Sequence, residues 1–214
     1  MALKIGVIGA TGMAGRAITQ EDHGLQVRAF IHNLDKAKDM FGDQVEYVAK
    51  DVFDIQHQDI DDLDVVVDAF APGDRNKAYQ HVDLAARLVE LAKNQDKPRL
   101  FFILGAGSLE TGDGHRLIDK LETYPNKETF IETPRQQAKE YELLKNTTSV
   151  NWVAVSPSAN FKPGAFADYE LGNNTLMKNA DGKSEVTSGT IGRVIVEEII
   201  NPAHHNERFT AVNK

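Results

Sequence analysis

Leu3–Gly9 reads LKIGVIG, and Gly9-Ala-Thr-Gly-Met-Ala-Gly15 follows with glycines at the spacing G-x-x-G-x-x-G. An apolar strand that runs into such a turn and then into a helix is typical of a dinucleotide-binding βαβ unit. Gly9 permits the tight turn, Gly12 lets backbone N–H groups approach a pyrophosphate, and Gly15 lets helix and strand pack closely. The stretch therefore predicts a phosphate-binding turn at the start of an α/β fold, with partial positive charge from the helix N-terminus.

Apolar β-branched runs recur along the chain, and amphipathic stretches separate them. The predicted strands are Leu3–Gly9, Leu25–Ile31, Val45–Val48, Val65–Ala69, Leu100–Gly105 and Val150–Val155. The predicted helices cover residues 13–22, 34–41, 75–94 and 133–146. Strands that alternate with helices in this way predict a Rossmann-like, doubly wound parallel sheet.

The pattern changes after the sixth predicted strand. Residues 156–187 are rich in Gly, Pro, Asn and Asp, and they contain only short strand-like pieces. The features predicted from this point are strand pieces around Tyr169–Leu171 and at Glu185–Thr187, an N-cap at Ser188, a helix through Gly192–Ile200 and a last strand, Arg208–Val212. We interpret residues 1–214 as a single nucleotide-binding domain, with residues 156–187 forming a small irregular excursion on the substrate side.

Composition excludes several classes of protein. The 214 residues are 41% hydrophobic and 26% charged, which is typical of a globular chain. A net charge of −8 argues against binding nucleic acid through overall charge. The absence of Cys removes disulfides and thiolate metal sites, and isolated His residues give no metal motif. No run approaches ~18 uncharged apolar residues, so we expect no membrane span, no metal and a cytoplasmic location.

The end of the second predicted strand indicates which nicotinamide cofactor binds. NAD-binding proteins usually place an acidic residue there to hold the ribose 2′-hydroxyl. Here Ile31 is followed by His32 and Asn33, and the nearest carboxylate, Asp35, falls in the first turn of the next helix, where it favours the helix dipole. Since His32, Asn33 and Lys36 could meet a 2′-phosphate, NADP(H) is preferred and NAD(H) stays possible.

Other candidate cofactor residues follow from the fold. In open α/β sheets a ligand lies at the carboxyl ends of the strands. Asp51 and Val52 follow the third strand, where adenine would lie, and Ala69, Phe70 and Ala71 follow the fourth, near the ribose and nicotinamide. The candidates in the first turn are Gly9, Thr11, Gly12, Met13, Ala14 and Gly15.

Three motifs together resemble a known family. They are Gly9–Gly15 after strand one, Leu104-Gly-Ala-Gly-Ser-Leu109 after strand five, and Asn151-Trp152 leading to Ser156-Pro157, Phe161 and Pro163-Gly164. The chain resembles the atypical short-chain dehydrogenase/reductase proteins with an NmrA-like NAD(P)-binding domain, and most of all the bacterial proteins proposed to be NADH-flavin reductases, which are related to biliverdin reductase B. The resemblance implies an NAD(P)-binding Rossmann fold and adds Pro157 to the cofactor-binding residues.

Candidates for a catalytic acid are few. Tyr141 and Lys145 have the Y-x-x-x-K spacing of alcohol-oxidising short-chain dehydrogenases. However, they lie at the carboxyl end of the predicted helix before strand six, which is the end away from the cofactor. Ser108, after strand five, is better placed to bond the carboxamide or a substrate, although it could simply cap the following loop. Tyr124 lies in a loop that could reach the site.

The lack of a suitably placed Tyr/Lys pair indicates which type of acceptor the protein could reduce. Reducing a simple carbonyl needs a proton at oxygen, whereas a flavin ring accepts hydride without an obligatory protein acid. The leading hypothesis is therefore an NAD(P)H-dependent reductase of a flavin, as substrate, or of a similar conjugated acceptor. The alternatives are a non-catalytic NAD(P)-sensing regulator and a sugar-nucleotide epimerase or dehydratase. The partner would be a small-molecule acceptor, and the sequence leaves monomer or homodimer open.

Overall fold

The computed structural model describes residues 2–21 and 23–214. Residues 1 and 22, the latter the end of the predicted helix 13–22, lie outside the described residues. The strands are β1 (Lys4–Ile8), β2 (Gln26–Ile31), β3 (Glu46–Ala49), β4 (Val65–Asp68), β5 (Arg99–Ile103), β6 (Trp152–Pro157), β7 (Asn160–Lys162), β8 (Tyr169–Gly172), β9 (Glu185–Thr187) and β10 (Glu207–Asn213). The helices are α1 (Met13–Thr19), α2 (Leu34–Phe41), α3 (Gln80–Ala92), α4 (Leu117–Leu121), α5 (Glu132–Lys145) and α6 (Ser188–Ile200).

The main sheet has eight strands in the order β3-β2-β1-β4-β5-β6-β10-β8. All neighbouring strands are parallel except β8, which runs antiparallel to β10. The strand order reverses at β1, which pairs with both β2 and β4, so a crevice opens at the carboxyl ends of β1 and β4. This topology confirms the predicted Rossmann-like doubly wound sheet.

Two hydrophobic cores cover the two faces of the sheet. Val65 and Val67 of β4 pack with α1 and α6 on one face, and Val66 packs with α3 and α5 on the other. The alternation along β4 follows from the period of two in a strand. Asp68 is the next residue in that alternation, and it therefore shares the α3/α5 face with Val66.

The C-terminal third is more regular than the sequence predicts. β7 pairs with β9 in a separate two-stranded parallel ribbon, and β8 joins the main sheet. Sequence patterns missed β7 and the short helix α4 because pairing between distant segments, rather than local propensity, stabilises such short elements. The N-cap of α6 is Thr187 instead of Ser188, since the Thr187 hydroxyl accepts from the Thr190 amide.

Element ends also differ from the predictions. The predicted helix 75–94 is a 3₁₀ turn, Arg75–Lys77, followed by α3, and the Asp74 carboxylate caps that turn. β6 starts at Trp152 and continues to Pro157, two residues beyond the predicted strand. Within residues 2–21 and 23–214, no helix has the length and apolar character needed to cross a bilayer.

Candidate active site

A cavity of about 600 Å³ opens at the carboxyl ends of the central strands. That volume is within the usual range of small-molecule sites, roughly 300–1,000 Å³. Most of the sequence-predicted cofactor residues line it together, namely Gly9, Thr11, Gly12, Met13, Ala14, Lys36, Ala69, Phe70, Ala71 and Pro157. Four separate elements of the chain thus meet at one crevice, as the topology requires.

The glycine turn is shaped by close backbone approach. Gly9 has φ +75°, and a Cβ there would lie 2.8 Å from the Ala69 carbonyl oxygen at the end of β4. The Gly12 amide donates to the Gly9 carbonyl at 2.9 Å, which closes the turn before α1. Gly15 lies behind the cavity wall, where a Cβ would overlap the Gly9 carbonyl. The turn Gly9–Gly15, which we call the glycine cradle, therefore leaves backbone surface open at the place where a cofactor phosphate would bind.

The other sequence-predicted cofactor residues lie outside the cavity lining. His32 is exposed at the end of β2, and Asn33 caps α2 by accepting from the Lys36 amide at 2.9 Å. Asp51 caps the 3₁₀ turn Val52–Asp54 by accepting from the Phe53 amide at 2.9 Å. Of the cluster predicted at the end of β2, only Lys36 reaches the cavity.

Ser108 is held by a buried arginine. Arg208 of β10 donates from Nη1 to the Ser108 hydroxyl at 2.6 Å and from Nη2 to the Asn174 side-chain oxygen at 2.7 Å. The Arg208 guanidinium also lies 3.8 Å from the centre of the Tyr141 ring. Ser108 is 4% exposed and is not among the cavity-lining residues, whereas its neighbours Ala106 and Gly107 are. These contacts give Ser108 a structural role, and its contact to nicotinamide or substrate stays a prediction.

The Tyr141 and Lys145 pair stays away from the cavity. α5 presents Thr133, Pro134 and Gln137, from its amino-terminal half, to the cavity. Tyr141 lies further along the helix, and its hydroxyl donates to Asn174 at 3.2 Å. The exclusion of this pair on geometric grounds agrees with the structure. Tyr124 is 52% exposed and also does not line the cavity.

Sequence reasoning missed a buried cluster behind the cavity, formed by Asp68, His81 and Glu140. The Glu140 Oε2 atom lies 3.9 Å from His81 Nδ1, and His81 itself lines the cavity. Burial raises the pKa of Asp68 to about 7, although the Phe70 amide donates to its carboxyl. Burial raises the pKa of Glu140 well above its ordinary value, and the charge of Asp68 raises it further. Burial lowers the pKa of His81 to about 4.

A signal for this cluster was present in the sequence. Asp68 ends the otherwise apolar run VVVD. His81 precedes Leu84, Ala85 and Leu88 at the helical spacing of the buried α3 face. Polar residues at positions that a pattern assigns to the core are candidates for function, because burying them without partners costs free energy.

His204 and His205, taken from the sequence as a solvated loop, differ from each other. His204 Nδ1 lies 2.8 Å from the Glu198 carboxylate, and its ring stacks on Phe209 with centroids 4.4 Å apart. His205 is exposed. No group of three or more His, Cys, Asp or Glu residues in the described part of the chain is arranged to hold a metal ion.

Comparison with known proteins agrees with this geometry. Residues 9–206 match the model of the NAD(P)H-binding family. The chain is 33% identical to the uncharacterized protein YwnB of Bacillus subtilis over 220 residues, covering 99% of each. A crystal structure of a Lactobacillus casei protein superposes with a TM-score of 0.91 at 33% identity, covering 99% of each chain. A proposed NADH-flavin reductase from Streptococcus pneumoniae superposes with a TM-score of 0.90 at 26% identity, covering 100% of each.

The chain therefore belongs to the NAD(P)H-binding family, and its fold is that of a nicotinamide-dinucleotide-binding protein. The glycine turn Gly9–Gly15 lies at the start of the matched residues. The match extends through β8 and α6, so the C-terminal third is part of the same family pattern.

Proposed function

We propose that this protein is an NAD(P)H-dependent reductase of a flavin or a similar flat, conjugated acceptor. The observation that carries the proposal is that the glycine cradle and a largely apolar wall line the same cavity. A bound nicotinamide cofactor supplies the hydride. The protein's own residues bind it, orient it and hold the acceptor beside it.

The cradle residues fit a nicotinamide dinucleotide. Gly9 and Gly12 leave no side chain between the backbone and a pyrophosphate, and Thr11, Met13 and Ala14 complete the wall. We assign Ala69, Phe70, Ala71 and Pro157 to the walls near the ribose and nicotinamide. In this proposal Gly15 supports the cradle from behind.

Lys36 supports a preference for NADP(H). It is the cationic side chain of the cavity lining within the described residues, and no carboxylate lies between β2 and the start of α2. A 2′-phosphate near Lys36 would gain a charge-assisted hydrogen bond, while a 2′-hydroxyl would gain much less. His32 and Asn33 could add contacts at the rim.

The opposite wall supports a flat acceptor. Leu117, Leu121, Pro134 and Phe161 line the far part of the cavity. In the described part of the chain, the lining carries no tyrosine or cysteine, and His81 is its one titratable group besides Lys36. Such a wall suits a conjugated ring that binds by its apolar faces.

The proposal is tested by mixing the protein and NADPH with FMN, FAD, riboflavin and a quinone in a stopped-flow instrument. We expect loss of NADPH absorbance with at least one acceptor, above the rate without protein. Tight NADPH binding with no oxidation by any acceptor would contradict the proposal and favour an NAD(P)-sensing regulator.

Cofactor preference is tested with Lys36→Ala. The change should weaken NADPH binding about 10- to 150-fold, because one charge-assisted bond of roughly 1.5–3 kcal/mol is lost, and leave NADH binding nearly unchanged. Lys38→Ala, on the exposed surface of the same helix, is the matched control. Equal weakening of both cofactors by Lys36→Ala would contradict a 2′-phosphate contact.

A further inference from the structure

Asp68, His81 and Glu140 form a buried group, the carboxyl–histidine cluster, against one wall of the cavity. The three residues are 7%, 5% and 2% exposed. Each comes from a different element, since Asp68 ends β4, His81 lies in the first turn of α3 and Glu140 lies in α5. The cluster exists only because the fold packs α3 and α5 over the carboxyl end of β4.

His81 connects the cluster to the cavity. His81 and Phe70 both line the cavity, with ring centroids 6.3 Å apart. The Nδ1 atom of the imidazole lies 3.9 Å from Glu140 Oε2. This oxygen is fully buried and has no hydrogen-bond partner among the described residues. A shift of about 1 Å would bring the two atoms to hydrogen-bond distance.

The cluster has no neutralising cation. Within residues 2–21 and 23–214, no Lys or Arg nitrogen lies within 4.0 Å of the Asp68 or Glu140 carboxyl, and the only near basic group is His81. The turn Arg75–Lys77, which also packs against α5, carries exposed side chains. The titratable groups that face Glu140 are Asp68 and His81. Burial and the charge of Asp68 raise the pKa of Glu140 well above its ordinary value, which favours the protonated carboxyl, and burial lowers the pKa of His81 to about 4, which favours the neutral imidazole.

A purely structural explanation accounts poorly for this arrangement. Two buried carboxyl groups without a cation cost folding free energy, and apolar residues of similar size would avoid that cost. Perturbed titratable groups at the wall of a cleft are typical of sites that move protons.

We infer that His81, supplied by Glu140, delivers a proton to the acceptor in this cavity, and that the acceptor is a conjugated carbonyl compound of the quinone class. The inference rests on the proposed reductase function and narrows its substrate. Asp68 is a positioning residue here, because its ionised form adds to the effect of burial, which favours the protonated form of Glu140. The cavity thus holds the acid that the sequence motifs lacked.

The proton step balances as follows. The acceptor gains a hydride, which is two electrons and one proton, and this leaves a single negative charge on an oxygen of the acceptor. The oxygen takes a proton from Nε2 of His81, so an O–H bond forms and an N–H bond breaks. Nδ1 of His81 takes the Glu140 proton. The Nδ1 proton then returns to the Glu140 carboxylate as Nε2 takes a proton from solvent water, so both groups regain their starting protonation and hydroxide leaves to the solvent. Each turnover consumes one hydride and one proton.

Flavin and quinone acceptors should respond differently to this cluster. A flavin takes hydride at a ring nitrogen, and its reduced ring is stable as an anion near neutral pH. A quinone reduced by hydride develops its charge on oxygen, where a positioned acid contributes about 10²–10⁴-fold to the rate. A merely structural role for His81 would affect both acceptors alike.

The decisive experiment compares wild type and His81→Asn with 2-methyl-1,4-naphthoquinone and with FMN at pH 7. We expect kcat for the quinone to fall about 100-fold and kcat for FMN to stay within about twofold. Glu140→Gln should also lower the quinone rate. The matched control is His57→Asn, which changes an exposed histidine that does not line the cavity. Parallel loss with both acceptors, or no loss with either, would overturn the inference.

A second readout does not depend on turnover. Infrared spectra at pH 7 should show the C=O stretch of a protonated carboxyl that Glu140→Gln removes, and Asp68→Asn should move its loss to lower pH. Absence of this band in wild type overturns the proton relay and leaves the reductase proposal standing. A wild type that has the band but oxidises NADPH with neither acceptor contradicts the reductase function itself, and the relay with it.

Discussion

Two buried carboxyl clusters lie at opposite ends of the same sheet, and they are built differently. At the amino end, Arg99 donates to Glu198 at 2.8 Å, and His204 contacts the same carboxylate at 2.8 Å. At the carboxyl end, no Lys or Arg nitrogen of the described residues lies within 4.0 Å of the Glu140 carboxyl, and the basic side chain beside it is His81, whose pKa burial lowers. The pKa of Glu198 is lowered by its partners, against the effect of burial, whereas the pKa of Glu140 is raised by burial.

The difference shows that this fold can surround a buried carboxylate with cationic and N–H partners where the carboxylate has a structural role, as at Glu198. The Ala203 and His204 amides donate to Glu198 as well, so its carboxylate is surrounded by donors. The cluster that lacks such partners is the one that borders the cavity. In an open α/β sheet, ligands bind at the carboxyl ends of the strands. The carboxyl–histidine cluster lies at this edge, where a functional role would explain the folding free energy lost by burying its carboxyl groups.

The largest expected effect comes from breaking the paired cluster. Arg99→Met should lower the free energy of unfolding by about 3–5 kcal/mol, because it leaves the Glu198 charge buried without its main partner. Urea denaturation followed by circular dichroism measures the change. Lys93→Met, which removes an exposed pair with Glu90, is the control and should cost less than 1 kcal/mol. Similar losses in both variants would show that the buried pair is not special.

The second largest effect is a pH dependence of the free energy of unfolding, which we expect from Asp68 in the carboxyl–histidine cluster. The pKa of Asp68 is about 7 in the folded protein, against an ordinary 3.8, so the folded state holds a proton that the unfolded chain releases between these values. The unfolding free energy contributed by Asp68 is therefore present at low pH and falls as pH rises from about 4 to 7, by at most ~1.4 kcal/mol per pH unit.

Asp68→Asn isolates this term, since the other titrating groups are common to both proteins. The stability of the variant relative to wild type should increase steadily from pH 4 to pH 7 in urea titrations. A difference that does not vary with pH would mean that Asp68 titrates normally in the folded protein.

A smaller effect is expected at Ser108. Ser108→Ala removes the acceptor of the buried Arg208 Nη1 group and should cost about 1–3 kcal/mol of stability. NADPH affinity should stay within about twofold, because Ser108 does not line the cavity. Isothermal titration measures the affinity, and a large loss of binding would restore the role in the site that the sequence predicts.

The smallest effect on stability is expected for Glu140→Gln. Burial raises the pKa of Glu140 and favours its neutral form, and an amide of similar shape keeps the volume without introducing a charge, so the free energy of unfolding at pH 7 should change by less than about 1 kcal/mol. A large destabilisation in thermal unfolding would show that Glu140 is charged and paired, like Glu198.

Local sequence patterns predicted the cavity residues whose place depends on one short segment and on the order of the strands. The glycine turn, the loop after β4 and the side chain of Lys36 meet at the cavity as the strand order requires. Four other cofactor candidates, His32, Asn33, Asp51 and Val52, rest only on their position after a strand and stay predictions. In the structure Asn33 caps α2, and Asp51 caps the 3₁₀ turn Val52–Asp54. A capping residue and a ligand contact look alike in a sequence, because both follow a strand and carry polar atoms.

The sequence by itself determined the class of fold, the glycine turn Gly9–Gly15 and the place of Tyr141 and Lys145 at the carboxyl end of their helix, because these follow from patterns within single segments. Only the tertiary structure decided what surrounds each buried charge. Ser108 is bonded by a residue 100 positions away, and His81 meets Glu140 across two helices. Burial and pairing are properties of segments brought together from afar, and they set the pKa values on which the proposed proton chemistry depends.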